Sequence, residues 1–442
     1  MNEEDLTALL GQHASRHSVP GAAVGILRHG VVTTAYYGVA DVTTSEPVTP
    51  DTVFSVGSLT KSMVATVVAR LVDRRQLSLD DRVATHVPEL RASGWAERAS
   101  VRDLLANRSG LPLSAALEFD LAGRQDSDDG ALSRLATDVA AAEVAAANVW
   151  SYTNVGWCLL GRVLESATSG TWEDALRRHV VEQAGMSRTT FATDSPPKHR
   201  ASGHEMTSDG PVPVPPLVAR AYGPAGTSVV STVTDLLRFA AVHLEIASLA
   251  TLRAVQAEIA IHGWFDSWCL GWAWFDWTGG RVWGWDSVIN GERSVLRILP
   301  DQRAAVAVMT NSSTGRALCR SLLADLMNSL FGIRVPSLRL GVSPGAAGDL
   351  SRFAGVYAWP DRQVEVTAAG SGLVLKEEHA ETEALPIDER TFLVDPSDPD
   401  NPTVTFADPD AARRPQVLYL MLWGLPRLNE TLEGNVRPRS YL

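Results

Sequence analysis

The sequence predicts an α/β protein in which an antiparallel sheet, flanked by helices and interrupted by a helical insert, is followed by a small all-β domain. Three observations carry this. Strand-like runs stand at both ends of a long helical stretch, with Ala22–Leu27 and Val31–Tyr37 alternating around the turn Arg28-His29-Gly30, and Ser294–Leu299 and Ala304–Thr310 around Pro300-Asp301-Gln302-Arg303. Between them, Leu77 to about Ala192 has mainly helical periodicity. Beyond Pro336–Gly348, which holds three glycines and two prolines, short strands recur with no helical pattern between them. The expected division is residues 1–335, a linker at 336–349, and a β barrel or sandwich over 350–442.

Each element has a local reason. Asp5–Arg16 is amphipathic and helical. SLDDRVATHVPEL reads as a turn and a helix, and VRDLLANRSGLP as a short helix stopped by Gly110 and Pro112. Ser133–Ala147 is alanine-rich and helical, and an apolar helix follows from about Val155. Ser195–Pro216 is rich in proline and glycine and reads as a surface excursion. Thr232–Leu244 opens on capping residues and returns to helix, and Ala317–Phe331 closes the first domain. In the second, strands are expected at Gly355–Tyr357, Val364–Thr367, Leu373–Lys376, Phe392–Val394, Val404–Phe406 and Val417–Leu422.

Composition narrows the function classes. The chain has 442 residues, enough for two or three domains and a large core, and is 45% hydrophobic and 20% charged. A formal net charge of −12 argues against non-specific nucleic-acid binding. No apolar run approaches the ~20 residues of a membrane span, and the acidic start MNEEDLTALLGQH lacks a signal layout. The expectation is a cytoplasmic protein with neither membrane nor nucleic-acid partner. Cys158, Cys269 and Cys319 are far apart, in no metal-ligand spacing, and are expected to be buried and reduced. Nothing calls for a metal or another cofactor.

The chemistry is expected in Phe54–Asp73, FSVGSLTKSMVATVVARLVD. Val64, Val67, Val68, Leu71 and Val72 recur at helical spacing, so a helix starts near Ser58. Residues three apart share a helix face, which places the Ser58 hydroxyl beside the Lys61 amine. Unpaired first-turn N–H groups point at the same spot. A weakly nucleophilic hydroxyl thereby gains a base and a positive dipole end. The spacing alone also fits an N-cap serine followed by a solvated lysine. A second polar pair, Tyr152 and Asn154, lies in a short loop before the Val155 helix. Seven of the thirteen tryptophans fall between Trp264 and Trp285. They are expected to pack between sheet and helices, with the alternative that some wall a substrate cleft.

The flanking stretches decide between these readings. DTVFSVGSLTKSMVATVVARLVDRRQLSLDDRVATHVPEL, DLLANRSGLP, WSYTNVGWCLLGRVLE, GPAG and STVTDLLRFA, in that order, resemble the serine β-lactamase and penicillin-binding-protein superfamily, in its class C-like esterase and peptidase branch. The resemblance spans about residues 1–335 and implies a β-lactamase/transpeptidase-like fold. It makes Ser58 the nucleophile and Lys61 its base, which must be neutral to take the serine proton. Tyr152 would relay protons to or from the leaving and entering groups. Asn154 would orient Lys61 and the substrate amide, or cap the helix. Gly226 of the GPAG stretch would border the substrate.

The family's third motif, Lys-Thr-Gly or His-x-Gly, aligns with Trp285-Asp286-Ser287, placing these three residues at the substrate. Val288 would then pair its N–H with that of Ser58 as an oxyanion hole. Replacing the usual cation by tryptophan weakens the case for recognising a β-lactam through its carboxylate. FAGVYAWPDRQVEV, GLVLKEE, FLVDPSDPDNPTVTF and VLYLMLWGL resemble a lipocalin-like domain. That domain is attached to certain family members, among them the penicillin-binding-protein-type thioesterases, free-standing cyclases of nonribosomal peptide pathways. The implied partner is a peptidyl carrier protein bearing a thioester-bound peptide, and the family suggests a D-residue at the acyl end. In the basic tail, Arg437 or Arg439 would reach the cleft, or simply be solvated. The alternative is a carboxylesterase or D-aminopeptidase-like hydrolase on the same scaffold.

Overall fold

The computed structural model describes residues 1–111, 130–144, 149–259, 261, 264–336, 341–359, 362–394 and 402–428. The first hairpin forms where the alternation places it, β1 (Gly21–Arg28) with β2 (Val31–Asp41), followed by the short β3 (Glu46–Pro47). After the helical insert the chain returns through β9 (Ser267–Trp268), β10 (Ala273–Trp277), β11 (Gly280–Ile289), β12 (Glu292–Leu299) and β13 (Ala304–Thr310). The sheet order is β3-β2-β1-β13-β12-β11-β10-β9, with every pairing antiparallel. Both ends of the chain segment thus share one sheet, and everything between β3 and β9 is insert.

Helices cover both faces. α1 (Glu3–Arg16) and the late helix Gly315–Phe331 pack together on one side, while α2 (Leu59–Asp73) and the helix Val233–Glu245 lie on the other. Twelve of the fifteen α2 residues are buried, including Thr60, Lys61, Ser62 and Thr66. A helix apolar nearly all round belongs inside a protein, and α2 lies between the sheet and the helical insert. Two of its buried hydroxyls are satisfied by carbonyls: Ser62 donates to Gly271 (2.8 Å) and Thr66 to Ser62 (2.7 Å). Just ahead of it, β4 (Phe54–Ser55) is locked by a buried ion pair. Arg200 binds Glu292 at 2.7 Å and the Ser55 hydroxyl at 2.7 Å, and Glu292 accepts the Ser55 N–H at 3.1 Å. No sequence window reveals this clamp, because its members are 145 and 237 residues from Ser55 in the chain.

Two expected elements change within the insert. The alanine-rich helix runs only Ala131–Asp138, and Val139–Val144 is turn and coil. Val139 closes the helix with its N–H on the Leu135 carbonyl, and its own carbonyl accepts the Trp95 indole N–H at 3.2 Å; residues 145–147 lie outside the described residues. The surface excursion contains a hairpin, β6 (Gly203–Thr207) with β7 (Gly210–Val214). Its prolines, Pro211 and Pro213, sit on the strand of a two-stranded ribbon, where one edge needs no amide donor. The short helix expected to stop at Gly110 ends earlier, at Leu105, where Ala106 caps it and Asn107 turns the chain at a φ of +53°; Pro112 lies outside the described residues.

The C-terminal part is an eight-stranded antiparallel meander, nearly closed into a barrel. It runs β14 (Gly355–Trp359), β15 (Arg362–Ala369), β16 (Gly372–Glu377), β17 (Ala380–Pro386), β18 (Thr391–Leu393), β19 (Thr403–Pro409), β20 (Pro415–Leu420) and β21 (Trp423–Pro426). A Tyr357–Arg427 bridge joins the first strand to the end of the last. Phe353, Tyr357, Phe392 and Phe406 fill the centre with ring centroids 4.7 to 5.7 Å apart. Two strands escaped the sequence reading. β17 is rich in alanine and glutamate, poor β-formers. β21 lies beyond the last expected strand, which runs through Leu422, because the turn before it, Met421-Leu422, carries no turn residue, although Met421 has a φ of +53°.

The helix Asn154–Thr168 carries an internal strain. Burial lifts the Glu165 carboxyl from its ordinary 4.5 to about 7, and the nearby Glu173 adds to this against the pull of Arg162 and Arg220. The folded state therefore prefers the protonated acid, a contribution intact below pH 4.5 and lost as pH rises through about 7. Glu165→Gln, which mimics that acid, should leave the melting temperature unchanged at pH 5 and raise it by a few degrees at pH 8. Melting curves at the two pH values check this.

Candidate active site

Ser58 occupies the N-cap of α2 with backbone angles already helical (φ −59°, ψ −14°), and its side chain caps nothing. The hydroxyl is instead held from two sides. Lys61 Nζ donates to Ser58 Oγ at 3.2 Å, and the Tyr152 hydroxyl donates to it at 3.1 Å. Lys61 is fully buried. Its ammonium lies 5.0 Å from the centroid of the Tyr152 ring and donates to the Ala225 carbonyl at 2.5 Å. Among the described residues no carboxylate pairs with it.

The Ala225 carbonyl comes from a 3₁₀ turn, Arg220–Ala225, whose end packs face to face on the nucleophile. At Gly226, a β-carbon would lie 2.5 Å from the Gly57 carbonyl carbon and 2.9 Å from the Ser58 nitrogen, and φ is +138°. Only glycine meets both demands. Gly226 therefore allows contact with the Ser58 backbone, and the carbonyl of its neighbour Ala225 holds Lys61.

The third-motif strand arrives from the other side. β11 loses its β10 partner after Gly284, so residues 285–289 form an open edge toward α2. Ser287 points at the nucleophile and accepts the Ser58 N–H on its hydroxyl at 3.2 Å. Gly57 is needed here too, with φ +53° and a hypothetical β-carbon 1.9 Å from Ser287 Oγ. The N–H expected in the oxyanion hole is thus capped by a side chain at rest. Val288 follows on the same open edge, with its side chain half exposed.

Strand alternation divides the rest of the motif. Trp285, on the same face as Ser287, is 2% exposed and lies under Tyr152, with rings 5.7 Å apart. It also meets Trp268 at 4.7 Å and Phe265 at 5.8 Å. Asp286 faces the opposite side of the sheet, 2.5 Å from the Arg297 guanidinium and away from Ser58. Of the seven clustered tryptophans, Trp268, Trp272, Trp274, Trp283 and Trp285 are buried, in keeping with packing between sheet and helices. Asn154 opens the helix two residues beyond Tyr152, preceded by Thr153 at the N-cap. Arg437 and Arg439 lie outside the described residues.

All three cysteines are free and buried, and burial pushes the Cys269 thiol up to about 12, so neither thiolate chemistry nor a disulfide is in reach of it. No cluster of His, Cys, Asp and Glu among the described residues could hold a metal.

A serine hydroxyl clasped by a buried lysine and a tyrosine, on an antiparallel sheet with a helical insert, defines an acyl-enzyme-forming serine hydrolase or transferase. The beta-lactamase family profile matches residues 6–325, and the chain belongs to that family. Penicillin-binding protein 4 of Amycolatopsis lactamdurans is 29% identical over 365 residues, covering 78% of this chain and 94% of that protein. The crystal structure of SurE superposes with a TM-score of 0.80 at 26% identity, covering 96% of this chain and 99% of SurE. The octameric penicillin-binding protein homologue from Pyrococcus abyssi shares the fold over 96% of this chain and all of that one, at a TM-score of 0.66 and 21% identity.

The contact at Gly226 yields a direct test. Gly226→Ala should push the Gly57-Ser58 peptide out of place and slow acylation of Ser58 by at least about 100-fold, the scale of a roughly 1 Å misplacement. Burst kinetics with a chromogenic ester measure it.

Proposed function

We propose that this protein is a stand-alone thioesterase that takes a peptidyl group from a carrier-protein thioester onto Ser58 and releases it as a head-to-tail macrolactam. The observation that carries the acyl-transfer part is the double hold on Ser58 Oγ by Lys61 and Tyr152. Support for the finer part is of another kind. The similarity to SurE extends through both domains, and a SurE structure holding D-Leu superposes at a TM-score of 0.77. A D-amino acid in that structure fits the expected D-residue at the acyl end.

Neutral Lys61 takes the Ser58 proton as Oγ attacks the thioester carbonyl carbon. Negative charge collects on the carbonyl oxygen, where the Ser58 and Val288 N–H groups would receive it once Ser287 Oγ yields its place. The carbon–sulfur bond then breaks. A thiol of pKa about 8.5 leaves with little acid assistance, so a neutral Trp285 in place of a cation costs less than it would with an amine leaving group. The peptide's own α-amine then attacks the ester carbonyl of the acyl-enzyme. Tyr152 and Lys61 remove the amine proton and return one to Ser58 Oγ as it departs. An amide bond forms, the ester breaks, and the enzyme is restored.

A second reading, a carboxylesterase or D-aminopeptidase-like hydrolase, uses the same acyl-enzyme with water as the second nucleophile. The likeness to penicillin-binding protein 4 over nearly its full length favours it.

Incubation with a linear peptidyl thioester, followed by mass analysis, separates the two. A product lighter than the free acid by one water supports cyclisation, whereas linear acid alone with fast turnover of simple esters supports the hydrolase. Ser58→Ala should remove either activity. Trp285→His should lower cyclisation more than ester hydrolysis, by about tenfold if the indole favours amine over water at the acyl-enzyme.

A further inference from the structure

The loop that delivers Tyr152 is shared between the two domains. Its consecutive backbone N–H groups point to different partners. Ser151 N–H donates to the Asn107 carbonyl of the insert at 2.9 Å, whereas Tyr152 N–H donates to the Leu422 carbonyl at 3.0 Å, in the tight β20–β21 turn of the barrel. The barrel returns a second bond one residue away, from Gly424 N–H to the buried Ser151 hydroxyl at 3.0 Å. Gly424 also lies so close that a β-carbon there would stand 2.3 Å from the Trp150 carbonyl oxygen. The Trp150 and Tyr419 rings are 6.4 Å apart, and Val417 and Tyr419 belong to the hydrophobic core of the first domain rather than that of the barrel. A third tie holds the partner loop, from the Trp359 indole N–H to the Leu111 carbonyl at 2.9 Å.

These contacts converge on one catalytic group. Residues 150–152 sit outside regular helix and strand, so nothing in their own backbone fixes the direction of the Tyr152 side chain. The phenol reaches Ser58 across 3.1 Å, and a proton relay at that distance tolerates little drift. The β20–β21 turn that grips the loop itself holds Met421 at a φ of +53°, an unfavourable conformation for a methionine that surrounding contacts must maintain.

We infer that the barrel's β20–β21 hairpin, through Leu422 and Gly424, is a positioning element of the active site that holds the Ser151–Tyr152 backbone and so aims the Tyr152 hydroxyl at Ser58. This rests on the proton-relay reading of Tyr152 given above. Ser151 and Gly424 are positioning residues, one on each side of the domain boundary.

Ester turnover by the full-length protein tests this, with p-nitrophenyl butyrate as a probe too small to need a peptide site, read as kcat and KM across pH. Ser151→Ala should lower kcat by about 10- to 100-fold with KM little changed, alter the pH profile, and leave the melting temperature within a few degrees. Ser151→Thr, which keeps the hydroxyl, should restore the rate. Gly424→Ala, acting from the barrel, should reproduce the loss. Because the effect runs through Tyr152, neither substitution should cost anything further in a Tyr152→Phe background. Unchanged kcat in both variants, or losses that multiply with that of Tyr152→Phe, would overturn the inference. Full activity of Tyr152→Phe alone would instead remove the relay reading, and the inference with it.

Discussion

The structure depends on the close approach of two segments, the turn ending at Gly226 and the β11 strand at Ser287, to the start of α2. Gly57 and Ser58 are touched by Gly226 on one side and by Ser287 on the other, both closer than a side chain on either glycine would allow. From this contact follow the Ala225 carbonyl on Lys61, the Ser287 hydroxyl on the Ser58 N–H, and the open edge of β11 beside the nucleophile. The Arg200–Glu292 pair braces the arrangement from behind by fixing Ser55. A buried ion pair of this kind adds little net stability but is costly to break, which suits a part whose task is to keep geometry.

The lysine is the second consequence. An amine wholly removed from water, with a backbone carbonyl and a serine hydroxyl as hydrogen-bond partners, stands where proton transfer is short and solvent is absent. The tyrosine completes the set from a different direction and a different chain segment. Its ring lies over buried Trp285, so the tryptophan at the third motif supports the Tyr152 ring from beneath. That position differs from an open substrate wall, and it gives the departure from a cationic motif a structural role next to the chemistry.

The N-terminal half of the site was legible because its signals are local. Ser58 and Lys61 are one helical turn apart, and the apolar spacing behind them fixes the helix that sets them side by side. Tyr152 and Asn154 came through the likeness of a whole ordered set of motifs, since a loop dipeptide has no periodicity to read. The parts that escaped reading are contacts made by backbone atoms or by residues distant in sequence. Ala225 contributes only a carbonyl, Leu422 another, and Gly424 an amide, none of which leaves a mark on side-chain type. Asp286 was grouped with its motif neighbours, yet strand alternation turns it to the other face, to Arg297.

What the sequence determined by itself was the first hairpin, the α2 helix and the placing of Ser58 beside Lys61 on it, since periodicity and i,i+3 spacing are properties of a single segment. That glycine is required at Gly57 and Gly226 shows only in the fold, where Ser287 and the Ser58 backbone leave no room for a β-carbon. Only the tertiary structure decided which face of β11 meets Ser58, which carbonyl holds Lys61, and which domain holds Tyr152. Those outcomes depend on sheet register and on the docking of a barrel whose tightest turn, at Met421, has no turn residue to announce it. Pairings between distant segments are set by packing of the whole chain, and no window of sequence contains them.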